Sequence, residues 1–166
     1  MKSTPILRLF DEADFSWLKR WVTSAELLVQ FAGTEFEYPL TLNQLTAYQS
    51  MYPTRRFYVA MLEDTPFAFG EIIPQESGHP RLGRILVGEI SMRGLGLGSK
   101  FVAALLEECR RLYYCHSVDL NVWDENTAAI RCYEKVGFVF SPDERFVLHA
   151  LGRTYNIRKM TWHHCD

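Results

Sequence analysis

Residues 85–99, I-L-V-G-E-I-S-M-R-G-L-G-L-G-S, constrain this chain more than any other stretch. The apolar, β-branched start predicts a strand. It runs into alternate glycines, Gly94, Gly96 and Gly98, and a helical pattern follows at once over 100–114. A strand that turns through glycines into a helix gathers unpaired backbone N–H groups and the positive end of a helix dipole at one point. Such a point holds anions, and phosphate is its usual guest.

The remaining elements set what surrounds that point. Residues 5–10 read as a first strand. Asp11 and Asp14 offer caps to a helix carrying Phe15, Leu18, Trp21 and Val22 at helical spacing. Thr23 with Glu26 forms a capping box for a second helix over 25–31, which Gly33 stops. Thr41 caps a third, ending before Pro53. From Arg56 the period changes to two: 57–62 and 67–73 predict a hairpin around the turn Glu63-Asp64-Thr65-Pro66. A polar loop is expected over 74–83, and a strand over 84–88 feeding the glycines. Leu105, Leu106, Cys109 and Leu112 stripe the next helix. A strand over 117–123, a helix over 126–136 closed by Gly137, a short strand over 139–141 and a last hairpin, 145–151 with 155–162, complete the chain. Strands interleaved with amphipathic helices predict an α/β or α+β sheet with helices on its faces, in one domain spanning 1–166. In the first third, Trp17, Trp21, Phe31, Phe36 and Tyr38 read either as core or as the lining of a substrate cleft.

Composition excludes several classes. The hydrophobic share of 48% supplies a sizeable core, and the net charge of −2 is no nucleic-acid footprint. Arg55–Arg56 and Arg110–Arg111 read as solvated edges or helix ends. The first residues lack the apolar core of a secretory leader, and no apolar run is long enough to span a membrane. The four cysteines, Cys109, Cys115, Cys132 and Cys165, form no C-x-x-C pair, so they read as reduced thiols in a cytoplasmic protein. His163-His164-Cys165 reads as an ordinary tail, because no second cluster completes a tetrahedral metal set.

Three phosphate loops compete for the glycine stretch. A Walker loop needs lysine directly after glycine and a hydroxyl after that. Here Gly98-Ser99-Lys100 transposes the two. A dinucleotide fingerprint needs G-x-G-x-x-G, and the pattern here is one residue short. The acidic residue it requires would be Asp119, which falls inside a strand. The third fits. Arg93-Gly94-Leu95-Gly96-Leu97-Gly98 resembles the R/Q-x-x-G-x-G/A signature of the GNAT superfamily of acetyl-CoA-dependent N-acetyltransferases. Residues 126–138, N-T-A-A-I-R-C-Y-E-K-V-G-F, resemble that family's second motif, N-x-x-A-x-x-x-Y-x-x-x-G-F. The likeness is close over 84–140 and weaker toward the N-terminus, where it is nearest to the branch of ribosomal-protein N-terminal acetyltransferases and aminoglycoside or amino-acid acetylases.

The resemblance implies a mixed, mostly antiparallel sheet with helices on both faces, and acetyl-CoA as co-substrate with no metal. The N–H groups of Arg93, Gly94, Leu95, Gly96, Leu97, Gly98 and Ser99 would hold the pyrophosphate, with Arg93 adding charge. The strand Leu86, Val87, Gly88 would pair with the pantetheine arm across a splayed gap. Gly88 replaces a common valine, loosening the strand or admitting a bulge; Ile90 stands where proline is usual. Asn126 would cap its helix and reach the pantetheine. Tyr133 would protonate the departing thiolate. Glu71 is the candidate base, acting through water, with Glu89 and Asp124 behind it and His116 and His149 further back. An N–H near Val87 or Gly88 would stabilise the oxyanion. The implied partner is an amine of a small molecule or a peptide N-terminus, with neither nucleic acid nor membrane, and a homodimer is allowed. The acidic groups Asp11-Glu12-Asp14 and Glu35-Glu37 read as solvated faces, or as attraction for a cationic amine. The rival is a non-catalytic coenzyme-A-binding sensor or partner-binding module, which would need neither Tyr133 nor a base.

Overall fold

The computed structural model describes residues 4–89, 91 and 93–164. Ile90 and Cys165 therefore lie outside the described residues. The elements, in order, are β1 (Ile6–Leu9), α1 (Phe15–Trp21), α2 (Ala25–Ala32), α3 (Leu42–Met51), β2 (Arg56–Leu62), β3 (Thr65–Ile73), β4 (Arg81–Val87), α4 (Leu97–Tyr113), β5 (Ser117–Trp123), α5 (Thr127–Val136), β6 (Val139–Ala150) and β7 (Arg153–His163). The strands form one sheet in the order β1-β2-β3-β4-β5-β7-β6. Its neighbours are antiparallel except β4 and β5, which run parallel. The mixed, mostly antiparallel sheet implied by the motifs is thus present.

Helices cover both faces. On one, Phe101, Val102, Leu105 and Cys109 of α4 and Tyr133 of α5 pack on Ala68, Ile72, Leu82, Val118 and Met160. On the other, Leu18, Trp21, Leu28, Leu45 and Tyr48 from α1, α2 and α3 pack on Phe57, Phe69 and Leu86. Because side chains alternate across a strand, β3 gives Ala68 to the first core and Phe69 to the second. Burial on both faces explains the nearly unbroken apolar runs of β2 and β3. Among the described residues, no helix is long and apolar enough to cross a membrane.

Several expectations are corrected. The α2 cap is Ser24, whose Oγ accepts from Leu27 N–H at 3.1 Å, and not Thr23 with Glu26. The helix starts at Ala25 as expected, and the Thr23 carbonyl just before the cap accepts from the Tyr38 hydroxyl at 3.2 Å. β4 begins at Arg81, inside the expected loop. Arg81 and Leu82 pair with Ile73 and Ile72 on one side and with Asp119 and Leu120 on the other, and this two-sided ladder outweighs the loop-like local sequence. α4 begins at Leu97, capped by Gly96 in the left-handed region (φ 77°), so Gly98 lies inside its first turn. β6 is one strand, because a register shift between Phe140 and Arg145 absorbs Pro142.

The entry to α1 is tied by Asp14. Its carboxylate accepts from Arg8 at 2.7 and 2.8 Å and from Asp11 N–H at 2.8 Å. Burial pushes this carboxyl up, but the bonds from Arg8 and Asp11 outweigh it and hold it below its ordinary value. A depressed carboxyl lends stability above its unfolded pKa and loses it as pH falls through the folded one. Asp14→Asn is expected to cost about 1 kcal/mol at pH 7, with the difference from wild type closing below about pH 4. Urea unfolding at both pH values measures it.

Candidate active site

β4 and β5 are in register only at Arg81↔Asp119 and Leu82↔Leu120. Beyond that point they part, and a cleft of about 600 Å³ lies between them. The divergence begins at a bulge in β4. Its register on β3 passes from Glu71↔Gly83 to Phe69↔Leu86, leaving Arg84 and Ile85 without partners. Arg84 takes φ 49°, a conformation that costs energy in any residue with a side chain. A bulge bends and twists its strand. From Gly83 to Val87, the edge of β4 turned toward the cleft has no β5 partner.

The glycine loop closes one end. Gly94 and Gly96 hold φ 79° and 77°, which glycine adopts without strain. Gly96 caps α4 with no side-chain hydrogen bond, so the N–H groups of the first helical turn stay open to a ligand. Arg93 is anchored by Nε donating to the Val87 carbonyl at 3.0 Å. Lys135 of α5 brings its Nζ to 4.0 Å from where a Gly96 Cβ would stand, and Arg131 lines the same wall. Neither was expected from the sequence. The signal available was their four-residue spacing, which puts both on one helix face.

Of the coenzyme-binding candidates, Leu86, Val87, Arg93, Gly94, Gly96, Gly98, Ser99, Asn126 and Tyr133 line the cleft. Three do not. Leu95 is 68% exposed and points to solvent, and Leu97 is buried at 6% in the core. Gly88 lies beyond the end of β4, beneath Trp21; a Cβ there would stand 2.0 Å from the indole Cδ2. The glycine therefore neither loosens the strand nor forms the bulge, but makes room for Trp21. Its N–H donates to the Phe67 carbonyl at 2.9 Å, so it is not an oxyanion donor. Asn126 caps α5, with Oδ1 accepting from Ala129 N–H at 3.3 Å. Tyr133 is 7% exposed and edge-to-face with Phe138 at 6.0 Å. Burial, with a smaller contribution from Cys132, pushes its phenol up, so it stays protonated well past neutrality.

The base candidates fall elsewhere. Glu71 is fully buried behind β4 and its Oε1 is ion-paired with Arg84. Burial raises its carboxyl against the pull of Arg84. Glu89 Oε2 accepts from Trp21 Nε1 at 3.4 Å, and Asp124 is exposed. His149 faces Thr154 on the last hairpin, and His116 stacks on His164 in a groove remote from the cleft. Among the described residues, no carboxylate lines the cleft.

The arrangement suits the parts of a coenzyme A thioester. Open N–H groups with Arg93, Arg131 and Lys135 match its phosphates, the free β4 edge matches its amide-bearing arm, and the Tyr133 phenol lies in the same cleft. Residues 18–138 match the sequence model of the acetyltransferase (GNAT) family. An aminoglycoside N(6′)-acetyltransferase type 1 from Klebsiella pneumoniae is 29% identical over 149 residues, covering 80% of this chain and 72% of that protein. A spermine/spermidine N(1)-acetyltransferase from Bacillus subtilis is 30% identical over 84 residues, 48% of this chain and 55% of that one. Among solved structures, the spermidine N-acetyltransferase of Vibrio cholerae with CoA and spermine superposes with a TM-score of 0.79 at 17% identity, covering 96% and 95% of the two chains. AAC(6′)-Ib with ribostamycin and coenzyme A gives 0.74 at 24%, covering 96% and 93%. The chain belongs to the acetyltransferase (GNAT) family. It is an N-acetyltransferase, an acyltransferase that draws its acetyl group from acetyl-CoA and passes it to an amine.

Proposed function

We propose that the acceptor is a primary amine of a small molecule, acetylated by direct attack in the β4–β5 cleft. The observation that carries this reading is the cleft itself, which joins a phosphate cradle to a buried, protonated phenol along an unpaired strand edge. Acetyl-CoA supplies an acyl group activated as a thioester. The loop amides and Arg93, with Arg131 and Lys135, bind and orient its phosphates. Tyr133 holds a proton on Oη for the sulfur that leaves. With no carboxylate among the described lining residues, the amine's proton passes to cleft water, and Glu71 serves as the anchor of Arg84. Acceptors in the relatives are small amines such as aminoglycosides and spermine, which favours a small molecule over a peptide N-terminus. Three described cysteines are free thiols, in keeping with a reducing cytoplasm.

A thiol-release assay with acetyl-CoA and a panel of small amines tests this. Turnover with at least one amine is expected, alongside a rise in melting temperature on adding coenzyme A. Stabilisation by coenzyme A without thiol release from any amine would leave the non-catalytic binding module.

A further inference from the structure

We propose that a second cavity, beside the glycine loop, takes the adenosine 3′-phosphate end of the donor, and that Lys100 and Lys135 read the 3′-phosphate there. The proposal is independent of the acceptor. It says how the chain tells a free coenzyme A thioester from carriers that share only its pantetheine arm.

The cavity, of about 710 Å³, lies between α4, the end of α5 and the β2–β3 turn. Gly96, Ser99 and Lys135 line both this cavity and the β4–β5 cleft, so the two meet at the glycine loop. In coenzyme A the pyrophosphate joins the pantetheine arm to the nucleotide. With the arm in the cleft and the pyrophosphate on the loop, the nucleotide comes to lie past the loop, where this cavity opens.

The lining matches that end of the molecule part by part. Leu62, Leu95 and Val136 offer apolar surface to a purine. Leu95 is 68% exposed, and a base laid on it removes that surface from water. Glu63, in the β2–β3 turn, is the lining carboxylate, an acceptor for the amino group of adenine. Lys100 and Lys135 outnumber it, so the lining as a whole favours an anion. Lys100 is half-buried in the first turn of α4, where its N–H donates to the Gly96 carbonyl at 3.4 Å. Lys135 comes in from α5 with its Nζ 4.0 Å from where a Gly96 Cβ would stand. Neither lysine makes a hydrogen bond or ion pair among the described residues. A phosphate monoester carries about −1.5 to −2 charge at neutral pH, which suits two such cations.

The residue order at the loop has the same logic. A Walker lysine directly follows its glycine, whereas Ser99 takes that place here and the lysine comes next. One residue along a helix is a rotation of about 100°. Ser99 lines both the cleft and the outer cavity, while Lys100 lines the outer cavity alone.

Calorimetry with coenzyme A, 3′-dephospho-coenzyme A and 4′-phosphopantetheine reads the site without turnover. Coenzyme A is expected to bind about tenfold or more tighter than the dephospho form, with 4′-phosphopantetheine weaker still. Lys100→Ala should weaken coenzyme A about tenfold and the dephospho form less than about twofold, a cycle that isolates the lysine–phosphate pair. Lys135→Ala should weaken both, coenzyme A the more, because its Nζ also reaches the loop at Gly96. Lys100→Arg should keep most of the preference for the 3′-phosphate, since the charge stays. Melting temperatures of the ligand-free variants verify the fold. Equal binding of coenzyme A and its dephospho form overturns the proposal. An equal loss of both ligands in Lys100→Ala also overturns it, since the lysine would then act on the pyrophosphate.

Discussion

Gly88→Val is expected to remove most of the protein's stability and its coenzyme binding together. The branched side chain would have to occupy space held by the base of the Trp21 indole, whose Cδ2, Cγ and Cε3 atoms lie 2.0, 2.2 and 2.4 Å from the Cβ position. Those atoms are no flexible tip. Trp21 is 5% exposed, fixed in the α1–α3 core and linked through Nε1 to Glu89. Relief therefore requires either α1 or the residues leading into the phosphate loop to move. Overpacking of this severity costs about 3 kcal/mol or more, a large fraction of a small domain's stability. Urea unfolding gives the loss, and titration with coenzyme A gives its effect on the loop. Trp21→Ala by itself should cost about 3–5 kcal/mol through the cavity it leaves. The double variant should cost clearly less than the two added, because each change removes the other's penalty. Simple additivity would show that the two residues do not share this space.

Tyr133→Phe should lower kcat about a hundredfold to ten-thousandfold while leaving coenzyme affinity and stability nearly unchanged. The ring's packing against Phe138 is kept by phenylalanine, so only the hydroxyl proton is lost. Burial keeps the phenol protonated throughout the neutral range, since ionising it inside the core is unfavourable. Stopped-flow thiol release separates chemistry from binding, and direct titration gives the affinity. A parallel fall in turnover and affinity would refute the acid role.

The two predictions differ in how visible their residues were. Tyr133 belongs to a local motif, with Asn126 seven residues before it as cap and Gly137 four after it as stop, and the helix forms as that spacing demands. Gly88 looked like a weak point in a strand. Its reason is an indole from α1, and sequence spacing carries no record of which ring will cover which glycine. Glu71 shows the same limit. A glutamate in an apolar strand reads equally as a solvated residue or as a base. Only the β3–β4 register, the left-handed Arg84 and the absence of exposure identify it as a buried counter-charge. Arg81 and Leu82 read as loop because their strand character comes from two neighbouring strands at once.

Acidic residues in the first third had suggested attraction for a cationic amine. In the folded chain Glu35 stands at the rim, 4.0 Å from Arg84, which pairs with the buried Glu71 behind it. Sequence-level charge counts average over such an arrangement, and an enclosed site responds only to the charges that face it.

The sequence by itself determined the glycine turn and the helices around it. Gly94, Gly96 and Gly98, the helix that follows them and the 126–138 motif specify a helix start with open N–H groups and a tyrosine-bearing helix, because backbone conformation, helix capping and helical spacing are properties of neighbouring residues. The tertiary structure decided what stands around the cleft. The parting of β4 from β5 after Leu82, the burial of Glu71 against Arg84 and the seat of Trp21 on Gly88 arise from strand pairing and core packing between residues far apart in the chain. Such contacts depend on what the fold brings together, and local residue patterns encode no distances of that kind.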